Sequence, residues 1–290
     1  MSHIPVLFTQ SLELLAIRPD GIYVDATFGA GGHTLGILER VPAGRVISFD
    51  TDPAAVERAR AIANPNFTFV HANFRELASR LDALDVPEVD GVFFDLGVSS
   101  MQFDEADRGF SLQYAAPLDM RMNPNEGKSA FDVLLHASES ELADIFFNYG
   151  QERAARRIAR VIVKRRAEGR LPETTTEFAA MVSGLVQRKG HRERIHPATR
   201  VFQALRIAVN DEMGALKDGL EAAIGRLAKA GRVVAISFHS LEDRIVKTTF
   251  RDDERLTRVT RKPLVADEAE QKTNPRARSA KIRAAERKAS

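Results

Sequence analysis

The sequence predicts an α/β fold, a doubly wound parallel sheet broken by an all-helical insertion. Three observations predict it. Short β-rich apolar runs alternate with segments of helical periodicity up to residue 95. The alternation then stops, and the chain up to residue 231 is loop-like and then helical in pattern. A further β-rich run returns at 232–237.

The runs "IYVDA" (22–26), "RVISF" (45–49), "FTFV" (67–70) and "GVFFD" (91–95) are apolar on both parities. That pattern suits strands covered on both faces. Between them lie "HTLGILERV", "DPAAVERARAIA" and "NFRELASRLDAL", each periodic at helical spacing. Asp52-Pro53 resembles a helix N-cap followed by proline at the first helical position. A βαβαβαβ order of this kind builds a parallel sheet. Residues 100–127 are rich in Asp, Asn, Pro and Gly and read as loop, whereas 128–210 read as mostly helical.

Within "QERAARRIARVIVKRRAEGRL", Ala155, Ile158, Ala159 and Ile162 form an apolar stripe. Arg153, Arg157, Arg160 and Lys164 lie along another face, and Gly169 suits a C-cap. Leu216, Leu220, Ala223 and Leu227 predict a helix over 212–229 closed by Gly231, then the strand "RVVAIS". The tail, from "RLTRVTRKPL" to "ARSAKIRAAER", suits a final strand pair, with 266–276 as a loop between. The expected organisation is one α/β domain at 1–105 and 212–290, with a helical insertion at 106–211.

Composition bounds the function. The 290 residues are 44% hydrophobic and 28% charged, as in an ordinary globular chain. The absence of cysteine excludes disulfides, thiolate metal sites and cysteine nucleophiles. No window approaches 18 apolar residues, and the start has no basic segment followed by an apolar one. A cytoplasmic protein without membrane spans is expected. The net charge of +2 is unevenly spread. Residues 151–200 hold 13 Lys/Arg against 5 Asp/Glu, and residues 272–290 hold 7 against one. Two basic blocks point to a polyanion partner such as nucleic acid, the alternative being two solvated faces.

The chemistry begins at "YVDATFGAGGHT" (23–34). A phosphate-binding P-loop needs a lysine at the end of its turn, and this one ends Gly32-His33-Thr34. A dinucleotide fingerprint needs a small third residue, and Thr34 stands there. Asp25 directly before the turn would weaken any anion site. S-adenosylmethionine carries a sulfonium and an ammonium and no phosphate, so a carboxylate beside the turn attracts it. Asp50, ending "VISFD", suits ribose hydroxyls, although an acidic residue there serves NAD equally. Asp95 ends the fourth strand, before the small loop "LGVSS". Ligands of open α/β sheets bind beyond the carboxyl ends of the strands, which brings Asp25, Asp50 and Asp95 to one rim. A carboxylate there could hold an exocyclic amine and aim its nitrogen at a methyl donor. Capping a turn is the plainer role for Asp95.

The segments "HIPVLFTQSLELL", "DATFGAGGHT", "FDTDP", "DLGVSSMQFDEADRGFS", "PLDMRM", "HPATRVFQALRIAVNDE", "ISFHSLEDRIVK" and "NPRARSAKIRAAER" together resemble the bacterial 16S ribosomal RNA cytosine-N4 methyltransferase family. They span nearly the whole chain in order. The resemblance implies a Rossmann-like class I methyltransferase sheet carrying a helical insertion for substrate recognition. It also implies transfer of a methyl group from S-adenosylmethionine to the N4 amine of a decoding-centre cytosine of 16S ribosomal RNA in the small ribosomal subunit. The cofactor contacts it implies are Gly31, Gly32, His33, Asp50, Phe74, Asp95 and Gln102. Met101 departs from the family's proline, and Asn123 from its common aspartate. Phe74 opens the helix after the third strand, where it could pack on adenine or simply fill the core.

Other signals are weaker. His191 and His196 in "HRERIHP" sit among arginines, which favours a basic RNA-facing loop over a metal site, and no metal is expected. "ISFHSLEDR" gathers His239, Ser240, Glu242 and Asp243 but lacks a nucleophile elbow. Phe238 or His239 is instead expected to line an acceptor pocket for a flipped cytosine. "RGFS" (108–111) could close over the site or merely link the two domains. The insertion could equally dimerise. The competing functions are a DNA amino-methyltransferase and a non-catalytic RNA-binding assembly factor.

Overall fold

A computed structural model describes residues 5–186 and 196–289, apart from the side chains of Ser100 and Asp104. In chain order the elements begin α1 (Phe8–Leu15), β1 (Ile22–Asp25), α2 (Gly32–Leu38), β2 (Arg45–Asp50), α3 (Pro53–Arg60), β3 (Phe67–His71), α4 (Leu77–Ala83) and β4 (Val89–Asp95). The helices α5 (Ser100–Asp104), α6 (Ala130–His136), α7 (Glu139–Asn148), α8 (Ala155–Ala167), α9 (Thr175–Val186), α10 (Thr199–Asn210) and α11 (Glu212–Arg226) follow. The chain ends with β5 (Leu227–Ser237), α12 (Ser240–Asp252), β6 (Leu256–Arg258), α13 (Glu268–Thr273) and β7 (Lys281–Arg287). These elements form two compact units, one of Met1–Gly97 with Met213–Ser290 and one of Val98–Glu212.

The first unit is a seven-stranded sheet in the order β3-β2-β1-β4-β5-β7-β6. β1 to β5 run parallel, and β7 is antiparallel to both β5 and β6. This mixed sheet is the Rossmann-like class I arrangement expected, with the tail forming its strand pair. The chain winds outward from β1 through β2 to β3, then returns to β4 on the other side of β1. The switch in direction opens a crevice at the carboxyl ends of β1 and β4.

Strand parity divides the core. Val24, Ile47, Phe49, Val92, Phe94 and Val233 pack on one face with Leu81, Leu220 and Val246 from α4, α11 and α12. Tyr23, Val46, Phe93, Val234 and Ile236 pack on the other with Leu12, Leu15, Ile37 and Leu38 from α1 and α2. Asp25 is in register with Ser48 and Phe93. Asp50 and Asp95 lie two residues further along their strands. All three aspartates therefore share the pleat parity of the α1/α2 face.

The second unit has its own core, around Leu134, Leu142, Phe146, Ile158, Ile162, Phe178, Val182 and Leu205. The α8 stripe falls as the periodicity predicts, with Ala155, Ile158, Ala159 and Ile162 buried and Arg153, Arg157, Arg160 and Lys164 exposed. Arg166 turns inward and donates to the carbonyls of Leu134, Leu135 and Ala137 at the C-terminal end of α6. A guanidinium satisfies helix-end carbonyls and complements their dipole. Gly169 takes φ +65° just past α8.

Three expectations change. α11 stops at Arg226, and Leu227 already pairs with Val89 in β5, followed by a bulge with Ala230 at φ 61°. Residues 266–276 contain α13, which is capped by Asp267 accepting the Glu270 N–H at 2.8 Å. Its turn buries no side chain, so no apolar stripe announced it. "RGFS" is part of the insertion's core, because Phe110 is buried there and Arg108 donates to the carbonyls of Arg121 and Met122. His191 lies outside the described residues. His196 accepts the Ala198 N–H at 3.2 Å through Nδ1 and so helps shape the turn into α10. Among the described residues, no helix is long and apolar enough to cross a membrane.

Candidate functional site

The turn after β1 is held from behind by a buried carboxylate. Asp25 has no exposed surface. It accepts from the Thr34 hydroxyl at 2.7 Å and from the Thr27 N–H at 3.1 Å. Thr34 and Ser48 hydroxyls lie 2.8 Å apart. With the Thr34 proton directed at Asp25, Ser48 donates to Thr34. Burial drives the Asp25 pKa up to about 6, against these hydrogen bonds, and the Asp50 charge adds to the rise.

The glycines meet two separate demands. Gly31 takes φ +82°, and a Cβ there would also sit 2.9 Å from Phe28 Cζ. Gly32 has ordinary backbone, but a Cβ would sit 2.5 Å from Pro5 Cγ. The N-terminal segment therefore lies directly on the turn. Leu7 N–H donates to Glu270 Oε1 of α13 at 2.7 Å, so the tail secures that segment.

His33 lies in the first turn of α2 with its imidazole packed inward. It lies 4.5 Å from the Phe93 ring and 5.9 Å from Phe8, centroid to centroid. Nε2 is 3.2 Å from the Val6 carbonyl, which can only accept, so Nε2 carries a proton. Nδ1 is 3.7 Å from Asp95 Oδ2. Asp50 accepts the Gly29 N–H at 2.8 Å and the Asp52 N–H at 2.9 Å, which fixes its carboxylate beside the turn. Burial raises its pKa.

Asp95 is not a cap for the residues after β4. Its backbone N–H donates to Thr27 Oγ1 at 2.7 Å, yet its buried Oδ1 has no hydrogen-bond partner among the described residues. Burial lifts its pKa to about 7. Arg276 opposes that rise, and Asp25 and Glu242 add to it. A buried carboxylate oxygen lacking a donor is costly, and a ligand N–H would satisfy it.

The other expected residues are placed as follows. Phe74 opens the 3₁₀ turn after β3, edge-on to Phe94 at 5.5 Å, and a Cβ on Gly219 of α11 would sit 2.5 Å from its ring. Gln102 belongs to the other unit, where its Oε1 accepts the Ser99 N–H at 3.0 Å in a capping box. His239 is the N-cap of α12. Its Nδ1 accepts the Glu242 N–H at 3.4 Å, and its Nε2 lies 3.0 Å from Glu242 Oε1. Glu242 in turn accepts from the N–H groups of Phe238 and His239. Asp243 pairs with Arg283 and Lys281. This constellation anchors the start of α12.

Sequence reasoning missed Thr27, Thr34 and Arg276. The two threonines were visible in "DATFGAGGHT", where hydroxyls flanking a glycine turn could have been read as partners for Asp25. Arg276 was hidden inside a basic block read as surface.

Thr34→Val removes a donor from a buried carboxylate and should cost about 1–3 kcal/mol. Only the ionised form needs that donor strongly. Burial pushes the Asp25 pKa up to about 6 and losing the donor pushes it higher still, so the penalty is full only above the variant's pKa and fades as pH falls to 6 and below. Thermal unfolding of both proteins at pH 8 and pH 5 checks this, and an equal difference at both would contradict it.

A rim of carboxylates, an orphaned oxygen at Asp95 and a glycine turn suit a cationic nucleoside donor. A chain from Deinococcus radiodurans named "Ribosomal RNA small subunit methyltransferase H" is 50% identical over 99% of this chain and 90% of its own length. One of the same name from Geobacter sulfurreducens is 50% identical over 99% of both chains. One from Azoarcus sp. is 46% identical over 99% of this chain and 97% of its own. The model of the MraW methylase family matches residues 1–288, and the chain belongs to that family.

Proposed function

We propose that the protein transfers a methyl group from S-adenosylmethionine to the N4 amine of a cytosine in 16S ribosomal RNA. The acceptor is placed in the decoding centre of the small subunit, which sets the protein in the cytoplasm. The observation that carries this reading is the rim of Asp25, Asp50 and Asp95, joined to relatives named for small-subunit ribosomal RNA. S-adenosylmethionine supplies an electrophilic methyl group on a sulfonium.

The residues divide the remaining work. The Gly31–Gly32 turn gives the donor close access to backbone, and His33 contributes through its main chain because its ring is packed inside. Asp50 receives the ribose hydroxyls. Phe74 borders the adenine, and Gln102 completes the contacts the resemblance implies. Asp95 accepts N–H bonds from the cytosine amine, which localises a lone pair otherwise delocalised into the ring. It or water takes the proton the methylated amine loses. Phe238, at the end of β5, is the aromatic for the flipped base, and His239 orders the turn beneath it. The exposed row of Arg153, just before α8, and Arg157, Arg160 and Lys164 on it meets RNA phosphates. Exposed Phe147 on α7 offers an apolar contact for a second copy, and sedimentation reads that state directly.

Labelled-methyl transfer tests the function with naked 16S RNA, small subunits and duplex DNA as separate acceptors. We expect label in RNA or subunits. No label in either removes the reading, and label in DNA alone replaces it with DNA amino-methylation. With the working acceptor, Asp95→Asn should lower kcat by about 10²-fold or more while donor Kd changes little. Equal losses would make Asp95 a donor ligand only.

Replacing Arg153, Arg157, Arg160 and Lys164 by Gln should weaken RNA binding. Each lost phosphate contact should reduce the slope of log K against log salt by about 0.7–0.9. An unchanged slope places the phosphate contacts elsewhere.

A further inference from the structure

Most cations of the basic tail are tied to the protein. Arg283 and Lys281 pair with Asp243, Arg278 donates to the Gln271 carbonyl, and Arg287 donates to the Ile224 carbonyl. Arg276 is placed differently. It sits in the 3₁₀ turn Pro275–Arg278, whose start is fixed by Asn274 Oδ1 accepting the Arg276 N–H at 3.2 Å. From there its guanidinium carbon lies 5.6 Å from the centroid of the Phe238 ring. That is the range of a cation–π contact. Phe238 directly follows β5, and its Cδ2 lies 3.8 Å from where a Cβ on Gly97 would be. Gly97 is two residues beyond Asp95. The ring thus joins a tail arginine to the loop that leaves the β4 carboxylate.

We propose that Arg276 is a positioning residue for methyl transfer, a guanidinium brought by the C-terminal tail that steadies the Phe238 ring and sets the charge around the Asp95 carboxylate. The proposal rests on the functional reading above in giving Asp95 the cytosine amine. Among the described residues, the titratable groups around Asp95 are Asp25 from β1, His33 from α2, Glu242 from α12 and Arg276, with His239 beside Glu242. The two carboxylates and burial favour the protonated acid, and Arg276 is the cation that opposes them. The protonated acid accepts an amine N–H only weakly, at its carbonyl oxygen, and only the carboxylate can then take the proton from the methylated nitrogen. Phe238 can present a face to a base only while its ring is held.

The test uses the full-length protein with Arg276→Gln and Arg276→Lys. Methyl transfer is followed from pH 6 to pH 9, and the Asp95 carboxyl is titrated by carbon-13 NMR without RNA. Its resonance is identified by its loss in Asp95→Asn. We expect Arg276→Gln to lose roughly fivefold in kcat at pH 7, the change that a rise of one unit produces in a group pushed up to about 7, and to recover most of it at pH 9. The Asp95 titration should move to higher pH, and Arg276→Lys should hold both close to wild type. A pH–rate profile parallel to wild type, or an unmoved Asp95 titration, overturns the proposal. Should Arg276→Gln fail to fold, Phe238→Leu, which frees the guanidinium from the ring, is read in the same titration, and no upward movement there overturns it equally. Absence of methyl transfer by the wild-type protein would instead remove the functional reading, because the titration needs no acceptor.

Discussion

Three carboxylates at the ends of neighbouring parallel strands are the constraint on which the rest of this site depends. Register puts Asp25 opposite Ser48 and Phe93, and parity turns Asp50 and Asp95 to the same side. Burial then penalises every charge at that rim, and each carboxylate answers in its own way. Asp25 is met by hydroxyls, Asp50 by backbone N–H groups, and Asp95 by little beyond the field of Arg276. The gradient from a satisfied carboxylate to an orphaned one runs from structure to chemistry. In the function proposed above, the first holds the turn, the second takes the donor's ribose, and the third takes the reacting amine.

The two ends of the chain complete the rim. Pro5 rests on Gly32, Val6 receives the His33 ring nitrogen, and Leu7 is fixed by Glu270 of α13. Beyond α13, Arg276 reaches Phe238. The tail is therefore part of the site's framework, and its charge is largely consumed in holding β7, α12 and the N-terminal segment together. The exposed arginines of α8 stand instead opposite a fully buried apolar stripe.

Much of this was legible in the sequence, for physical reasons. Apolar runs on both parities announced the central strands, because parallel strands are covered on both faces. Asp52-Pro53 and Gly169 marked helix ends through backbone chemistry that depends only on local residues. What stayed hidden depended on distant partners. Nothing local to His33 says that its ring packs against Phe93 and faces Val6, nor to His239 that it caps α12 and leaves Phe238 as the ring beside the β4 loop. α13 is a short polar turn without a stripe, fixed by a contact 263 residues away in sequence. Arg276 looked like its neighbours until the fold separated it from them.

If the strand-end carboxylates hold the donor, Asp50 is the residue to change, because it has no proposed part in the chemistry. Asp50→Asn keeps an acceptor for the Gly29 N–H and removes the charge. Calorimetric titration with S-adenosylmethionine, without RNA, should show affinity at least about tenfold weaker than wild type, as expected for losing a hydrogen bond to a charged group. Affinity within about twofold of wild type, in a variant that unfolds normally, would mean that the donor does not sit on this rim.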